Sequence, residues 1–283
     1  EGCLNECSYC IVRLVKGELF SYPLEQIVAS VKKDIESGCK EIWITSQDNA
    51  SYGLENGKYH LPELLKEILN IKGNFFLRLG MMNPDNVLKI LPELIEIYKH
   101  KKMFKFLHIP IQSGSNKILK SMNRNYNKKD IIKIVSAFKK QIPEITISTD
   151  IIVGFPGETE KDFQESIDII KEIKPEILNI SKFWPHEQTK ASKLKQIPQK
   201  IKVSRATKLV KLHIDICNEL QKPWLDKITR VFVDQKGFSN TWLARSNNYK
   251  LFAVQSREKL LGKTINVKVK KLMPHYLVSE VVC

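Results

Sequence analysis

Through residue 181 the chain alternates short runs rich in β-branched and aromatic residues with stretches whose apolar positions recur at helical spacing. Residues 41–45, 75–79, 104–109, 145–153 and 177–180 read as strands. Between them Leu24, Ile27, Val28, Val31 and Ile35 lie on one helical face, with Gly38 as a stop. Ile131, Ile134, Val135 and Phe138 repeat the pattern, as do Phe163, Ile167, Ile170 and Ile173. Strand–helix alternation repeated this often predicts an α/β fold with a mainly parallel sheet, doubly wound or curled into a barrel. Counting residues 10–15 as a further strand gives six βα units. The expectation is an incomplete barrel with its site at the C-terminal ends of the strands.

After Pro185 the pattern changes. A Lys-rich connector leads into a helix over 199–220, which Pro223 ends. Short strands are then expected at 227–233, 241–245, 250–254, 264–269 and 276–282. Gly237, Asn247, Asn248 and Gly262 supply the turns between them. Five such strands in so little chain predict a small closed barrel, so the expected division is 1–225 and 226–283.

Composition matters here through charge. The net charge is +15, yet residues 1–181 hold 25 Lys and Arg against 24 Asp and Glu. Residues 182–283 hold 21 against 7, and 226–283 alone hold 11 against 4. A basic rear on a near-neutral front points to a phosphate-bearing partner. Apolar runs are too short to span a bilayer, and with no secretory leader ahead of the cysteines a reducing, cytoplasmic setting is expected.

Three of six cysteines fall within the first ten residues, as Cys3-x-x-x-Cys7-x-Tyr9-Cys10. Zinc would ordinarily want a fourth ligand from a second Cys pair, and none follows. Cys39, Cys217 and Cys283 are isolated and read as inert or surface thiols, and His60 and His108 are not at ligand spacing. A cubic iron–sulfur cluster held by three cysteines leaves one iron open for chemistry. A lone zinc, or a chance grouping of buried thiols, is the plainer alternative.

This motif at the head of a βα barrel resembles the radical S-adenosylmethionine (SAM) superfamily, and the whole chain resembles its tRNA methylthiotransferases. The resemblance implies one 4Fe-4S cluster on Cys3, Cys7 and Cys10, whose open iron chelates SAM. Thr45-Ser-Gln-Asp48 is similar to the family's polar turn near the SAM amino group. His108-Ile-Pro-Ile-Gln-Ser-Gly-Ser115 with Met122-Asn-Arg-Asn-Tyr126 resembles its fourth-strand segment. Ser148-Thr-Asp-Ile-Ile-Val-Gly-Phe-Pro-Gly-Glu-Thr159 resembles its fifth. Tyr9, Gln47, Asp48, Gln112, Ser113, Arg124, Asp150 and Gly154 are thereby implied to bind the cofactors. The chemistry rests on those cofactors, with no further catalytic side chain. Read without the family, Gln112 and Ser113 are strand-end polar residues, Arg124 is a surface charge, and Thr159 with Asp162 is a helix cap. Asp150 on an apolar strand needs a partner.

Gly80-Met-Met-Asn-Pro84 and Lys182-Phe-Trp-Pro-His-Glu-Gln-Thr-Lys190 resemble the archaeal and eukaryotic branch. That branch adds a methylthio group to C2 of N6-threonylcarbamoyladenosine at position 37 of tRNA. The 226–283 segment resembles the TRAM RNA-binding domain. Lys227, Arg230, Lys236, Arg245, Lys250, Arg257, Lys268 and Lys270 are its expected phosphate contacts, interleaved with Phe232, Phe238, Trp242, Tyr249, Phe252 and Tyr276. About half of these rings are expected in the barrel core. The family's N-terminal domain, with a second cluster, is not in this sequence, so cluster and SAM binding are expected of the chain without completed methylthiolation. An electron donor such as a flavodoxin or ferredoxin is expected as a partner, and DNA is not. The competing readings are a radical SAM enzyme acting on a ribosomal protein and a non-enzymatic, metal-stabilised RNA-binding protein.

Overall fold

The computed structural model describes residues 1–282. Its elements run α1 (Val12–Lys16), α2 (Leu24–Glu36), β1 (Glu41–Ile44), α3 (Leu61–Asn70), β2 (Phe76–Leu79), α4 (Pro84–Lys89), α5 (Leu91–Tyr98), β3 (Phe106–His108), α6 (Asn116–Ser121) and α7 (Lys128–Gln141). They continue as β4 (Thr146–Val153), α8 (Glu160–Ile173), β5 (Ile177–Lys182), α9 (Gln199–Gln221), β6 (Ile228–Lys236), β7 (Thr241–Arg245), β8 (Leu251–Gln255), β9 (Thr264–Met273) and β10 (Tyr276–Val282).

β1 and β2 pair in parallel, and β3, β4 and β5 form a second parallel group in that order. A parallel bridge from Leu77 to Met103 carries the curve from one group toward the other. The helices cover the sheet with one continuous apolar core that includes Leu65, Leu77, Leu107, Ile147 and Phe163. α7 and α8 both begin on full capping boxes, Asn127 with Asp130 and Thr159 with Asp162. These satisfy helix-end N–H groups that would otherwise lack partners.

The expected sixth strand is absent. Most of residues 10–15 instead belong to α1, and no strand of the described residues pairs with them. Leu14 and Val15 are 60% and 68% exposed. Without a neighbouring strand to pair with, this short apolar run gains nothing from an extended backbone, and Val12–Lys16 coil into the short helix instead.

α9 leads to five strands that close into a barrel ordered β10-β8-β7-β6-β9. All its pairs are antiparallel except β10 with β8. This barrel docks under the N-terminal ends of the parallel strands. Lys105 N–H donates to the Asn247 carbonyl at 2.9 Å, and Thr146 Oγ1 donates to the Asn248 carbonyl at 2.5 Å. Phe76, Phe104, Phe106, Ile177 and Tyr249 fill the seam. No helix among the described residues is long and apolar enough to cross a membrane.

Candidate functional site

The cysteine loop sits at the other, C-terminal, ends of the parallel strands. Its entry is closed by Cys3 N–H donating to the Gly17 carbonyl at 3.3 Å. Gly2 lies at φ +69°, and a Cβ there would meet the Glu18 carbonyl oxygen at 1.8 Å, so only glycine fits. The loop then docks on the turn after α6. Ser8 N–H donates to the Met122 carbonyl at 3.0 Å, Ser8 Oγ to Ser121 at 2.8 Å, and Asn123 Nδ2 to the Glu6 carbonyl at 2.8 Å. Ala191 of the basic connector donates back to the Ser8 carbonyl at 2.8 Å.

Cys3, Cys7 and Cys10 are free and partly exposed. Burial raises the thiols of Cys3 and Cys10 above their ordinary range. Among the described residues, the one trio of ligating side chains whose donor atoms all lie within 4.8 Å of one another is elsewhere.

Arg124 reaches the loop directly. Its Nη1 donates to Cys7 Sγ at 3.1 Å and its Nε to Tyr126 Oη at 2.9 Å. Burial opposes its charge, but Tyr126, Tyr9 and Cys7 outweigh that effect and hold it protonated. Tyr126 is itself pushed up to about 12 by burial, and its hydroxyl donates toward the Pro110 and Ile111 carbonyls. The arginine is thus fixed by the strand end and is no free surface charge.

Gln112 follows β3 at φ +69°, held by its N–H on the Asp150 carbonyl and by Ile152 N–H on its own carbonyl. Its buried Oε1 has no hydrogen-bond partner. A non-glycine residue in the left-handed region with an unmet buried acceptor is a costly arrangement that points to a missing donor. Ser113 is buried and accepts from Ser115 N–H at 3.2 Å.

Other expected residues turn inward. Asp48 Oδ1 accepts from Ala50 and Asn83 N–H and Oδ2 from Asn86 Nδ2, at 2.7–3.1 Å. Burial pushes its carboxyl up to about 6. It shapes the end of β1 from within. Gln47 is half-buried and lines, with Thr45, Ser46 and Asp48, an open cavity of about 450 Å3. Tyr9 packs edge-on against Phe155 with centroids 6.4 Å apart. Gly154 lies at φ +74°, where a Cβ would meet the Lys202 side chain at 2.4 Å, so what comes close to it is α9. Asp150 finds its partners in His108 Nε2 and Asn179 Nδ2, both donating at 2.8 Å. No sequence signal marks His108, though its segment carries the resemblance, as Asp150's partner, and Asn179 escaped the sequence reading; the lone polar residue between Leu178 and Ile180 was the available signal.

On the small barrel Lys227, Arg230, Lys236 and Arg257 are exposed, with Lys227 lying over the Trp224 ring at 4.4 Å. Arg245 is instead paired with Asp234 at 3.3 Å and lies over Tyr249, while half-buried Lys250 lines a second open cavity. Lys268 and Lys270 pair with Asp226 and Glu280. Phe232, Trp242, Tyr249 and Phe252 are buried, and Phe238 is 95% exposed. Of the isolated cysteines, Cys39 is exposed and Cys217 buried, its thiol pushed up to about 11 by burial. Cys283 lies outside the described residues.

A model of the radical SAM superfamily matches residues 1–170. A curated relative in Archaeoglobus fulgidus, named probable threonylcarbamoyladenosine tRNA methylthiotransferase, is 41% identical over 99% of this chain and 65% of its own length. The human threonylcarbamoyladenosine tRNA methylthiotransferase is 36% identical over 99% of this chain and 48% of its own. The chain thus spans about two thirds or less of these relatives. Among solved structures, a radical SAM methyltransferase of Kitasatospora setae with cobalamin and a 4Fe-4S cluster superposes with a TM-score of 0.55, at 16% identity over 68% of this chain and 37% of that one.

Proposed function

The chain belongs to the radical SAM superfamily, and from that premise we propose that it binds a 4Fe-4S cluster and SAM as part of a tRNA methylthiotransferase acting on C2 of N6-threonylcarbamoyladenosine at position 37. The observation that carries this is the docking of Cys3, Cys7 and Cys10 as free thiols at the strand ends, with Arg124 on the Cys7 sulfur. When bound, the cluster and SAM supply a radical able to attack a C–H bond that no side-chain base could deprotonate. The protein's part is placement. The loop's bonds to Ser121 and Met122 hold the thiols, Arg124 offers two N–H groups to a carboxylate or thiolate, and Gln112 Oε1 awaits an amino or hydroxyl donor.

The substrate assignment follows the relatives' names and the charge. We read residues 1–225 as the SAM-binding part and 226–283 as a TRAM-type RNA-binding domain. The end of β5 and the connector, whose Ala191 bonds the cysteine loop, add exposed Lys182, Lys190, Lys193 and Lys195 with Trp184, which is 72% exposed. Cations suit phosphates and an exposed indole suits an unstacked base. The chain with a flavodoxin- or ferredoxin-type donor is taken to work in the cytoplasm.

The test is anaerobic reconstitution with iron and sulfide, then dithionite and SAM. About four irons per chain and release of 5′-deoxyadenosine are expected. Zinc in place of iron, in protein isolated without oxygen, would defeat the radical reading. Binding a ribosomal protein in preference to tRNA would move the substrate assignment.

A further inference from the structure

Far from the cysteine loop, α9 and the β9–β10 turn bring two imidazoles and a thiol together. We propose that His213, Cys217 and His275 form a second metal site, which binds one zinc ion through the two imidazoles and the thiolate. His213 and Cys217 stand one helical turn apart on α9 and so share a face. His275 comes to that face from the turn, and the ligand atoms of all three lie within 4.8 Å of one another. The two rings lie nearly parallel, 22° apart, with centroids at 5.8 Å.

His213 has one ring nitrogen held by the backbone. Its Nε2 lies 3.2 Å from the Pro175 carbonyl, which can only accept, so Nε2 carries the proton and Nδ1 keeps its lone pair. Metal-bound imidazoles are commonly held in this way by a carbonyl behind them. Cys217 Sγ lies 3.4 Å from His213 Nε2 and 3.9 Å from Nδ1, so either nitrogen is at a separation two ligands of one zinc can adopt. His275 is exposed and is no core filler, so simple packing does not account for the trio. The three open on a cavity of about 330 Å3 that Asn179, Gln221 and Lys250 also line, leaving room for water at a fourth position. Lys250 disfavours a bare dication; the thiolate, formed as Cys217 releases its proton to solvent, offsets part of that charge. Bound zinc would tie α9 to the closed barrel and set the barrel's seat against the parallel sheet.

The test keeps the two metal centres apart. Protein is first reconstituted with iron and sulfide, so that the loop cysteines are taken. It is then loaded with zinc and dialysed against a weak chelator. One zinc per chain should remain, and His275→Ala and Cys217→Ser should each cut it at least tenfold, with iron unchanged. His275 is exposed, so its replacement leaves the fold standing. In a cobalt-loaded sample, Cys217→Ser should remove the thiolate-to-metal charge-transfer band. Wild-type protein that keeps no zinc, or either variant that keeps it undiminished, overturns the site. Loss of iron from the wild type would count against the radical SAM reading only.

Discussion

Gln112, at the C-terminal end of the parallel strands, keeps a buried oxygen without a donor. At the N-terminal end, Phe76 stacks on Phe104 at 4.9 Å and Tyr249 meets both Phe104 and Phe106 at 4.9 Å. Even the charge there is wrapped in rings: Arg78 lies 4.7–5.1 Å from the centroids of Trp43, Phe106 and Tyr249. One end is joined by hydrogen bonds across a loop and leaves thiols accessible; the other is sealed by apolar area. An unmet buried polar atom occurs at both ends, Gln112 Oε1 and Arg78 Nε; what separates the ends is aromatic packing against the barrel at one and accessible thiols at the other.

That comparison breaks most easily at the loop. Cys7→Ala should remove essentially all cluster iron, whereas Cys39→Ala should leave about four irons per chain. Iron retained in the Cys7 variant would mean that the loop is not the cluster site. At the sealed end Tyr249→Ala should cost about 3–5 kcal/mol of unfolding free energy while iron content and SAM cleavage persist in the folded fraction. A denaturant titration showing no shift would deny that the seam carries stability.

Asp48 sharpens the contrast through pH. Its carboxyl titrates near about 6 in the folded chain and near its ordinary lower value when unfolded. The native state therefore holds the extra proton between the two. Stability from this group is complete below about pH 4 and is lost as pH rises through about 6, by roughly 2–3 kcal/mol. Denaturant midpoints at pH 4 and pH 7 should fall further apart in the wild type than in Asp48→Asn, and equal pH dependence in the two would remove the effect from Asp48.

Arg124→Ala should weaken SAM binding by about 1.5–3 kcal/mol, as read by calorimetry on reconstituted protein. If affinity holds while iron falls, Arg124 serves the Cys7 thiolate instead. The smallest effect is expected on the barrel. Replacing Arg230, Lys236 and Arg257 with Ala should lower the salt slope of tRNA binding by about 2–3, and Arg245→Ala should lower it by less, since Arg245 is spent on Asp234. Equal slopes for all variants would take the RNA surface off the barrel. The cations of the connector beside the cysteine loop would then carry it.

Much of this was legible along the chain. The parallel strands β1 to β5, the long α9 and all five barrel strands lie within a few residues of their expected places. So does the Thr159 cap. Each depends on residues a few positions apart: period, turn chemistry, a capping side chain. Residues 10–15 failed for the complementary reason, since a short β-branched apolar run becomes a strand only where a neighbour exists to pair with it. Charge counts behaved similarly, showing the basic rear without showing that Arg245, Lys268 and Lys270 face carboxylates.

By itself, then, the sequence determined the repeating βα order, the small barrel and the three thiols on one loop, because all of these are local or compositional. Only the tertiary structure decided which end of the sheet each piece closes. It set Arg124 on Cys7 across 117 positions, Asp150 between His108 and Asn179, and His275 beside His213 and Cys217. Such meetings depend on how long loops close around a packed core, and no short-range pattern encodes that closure.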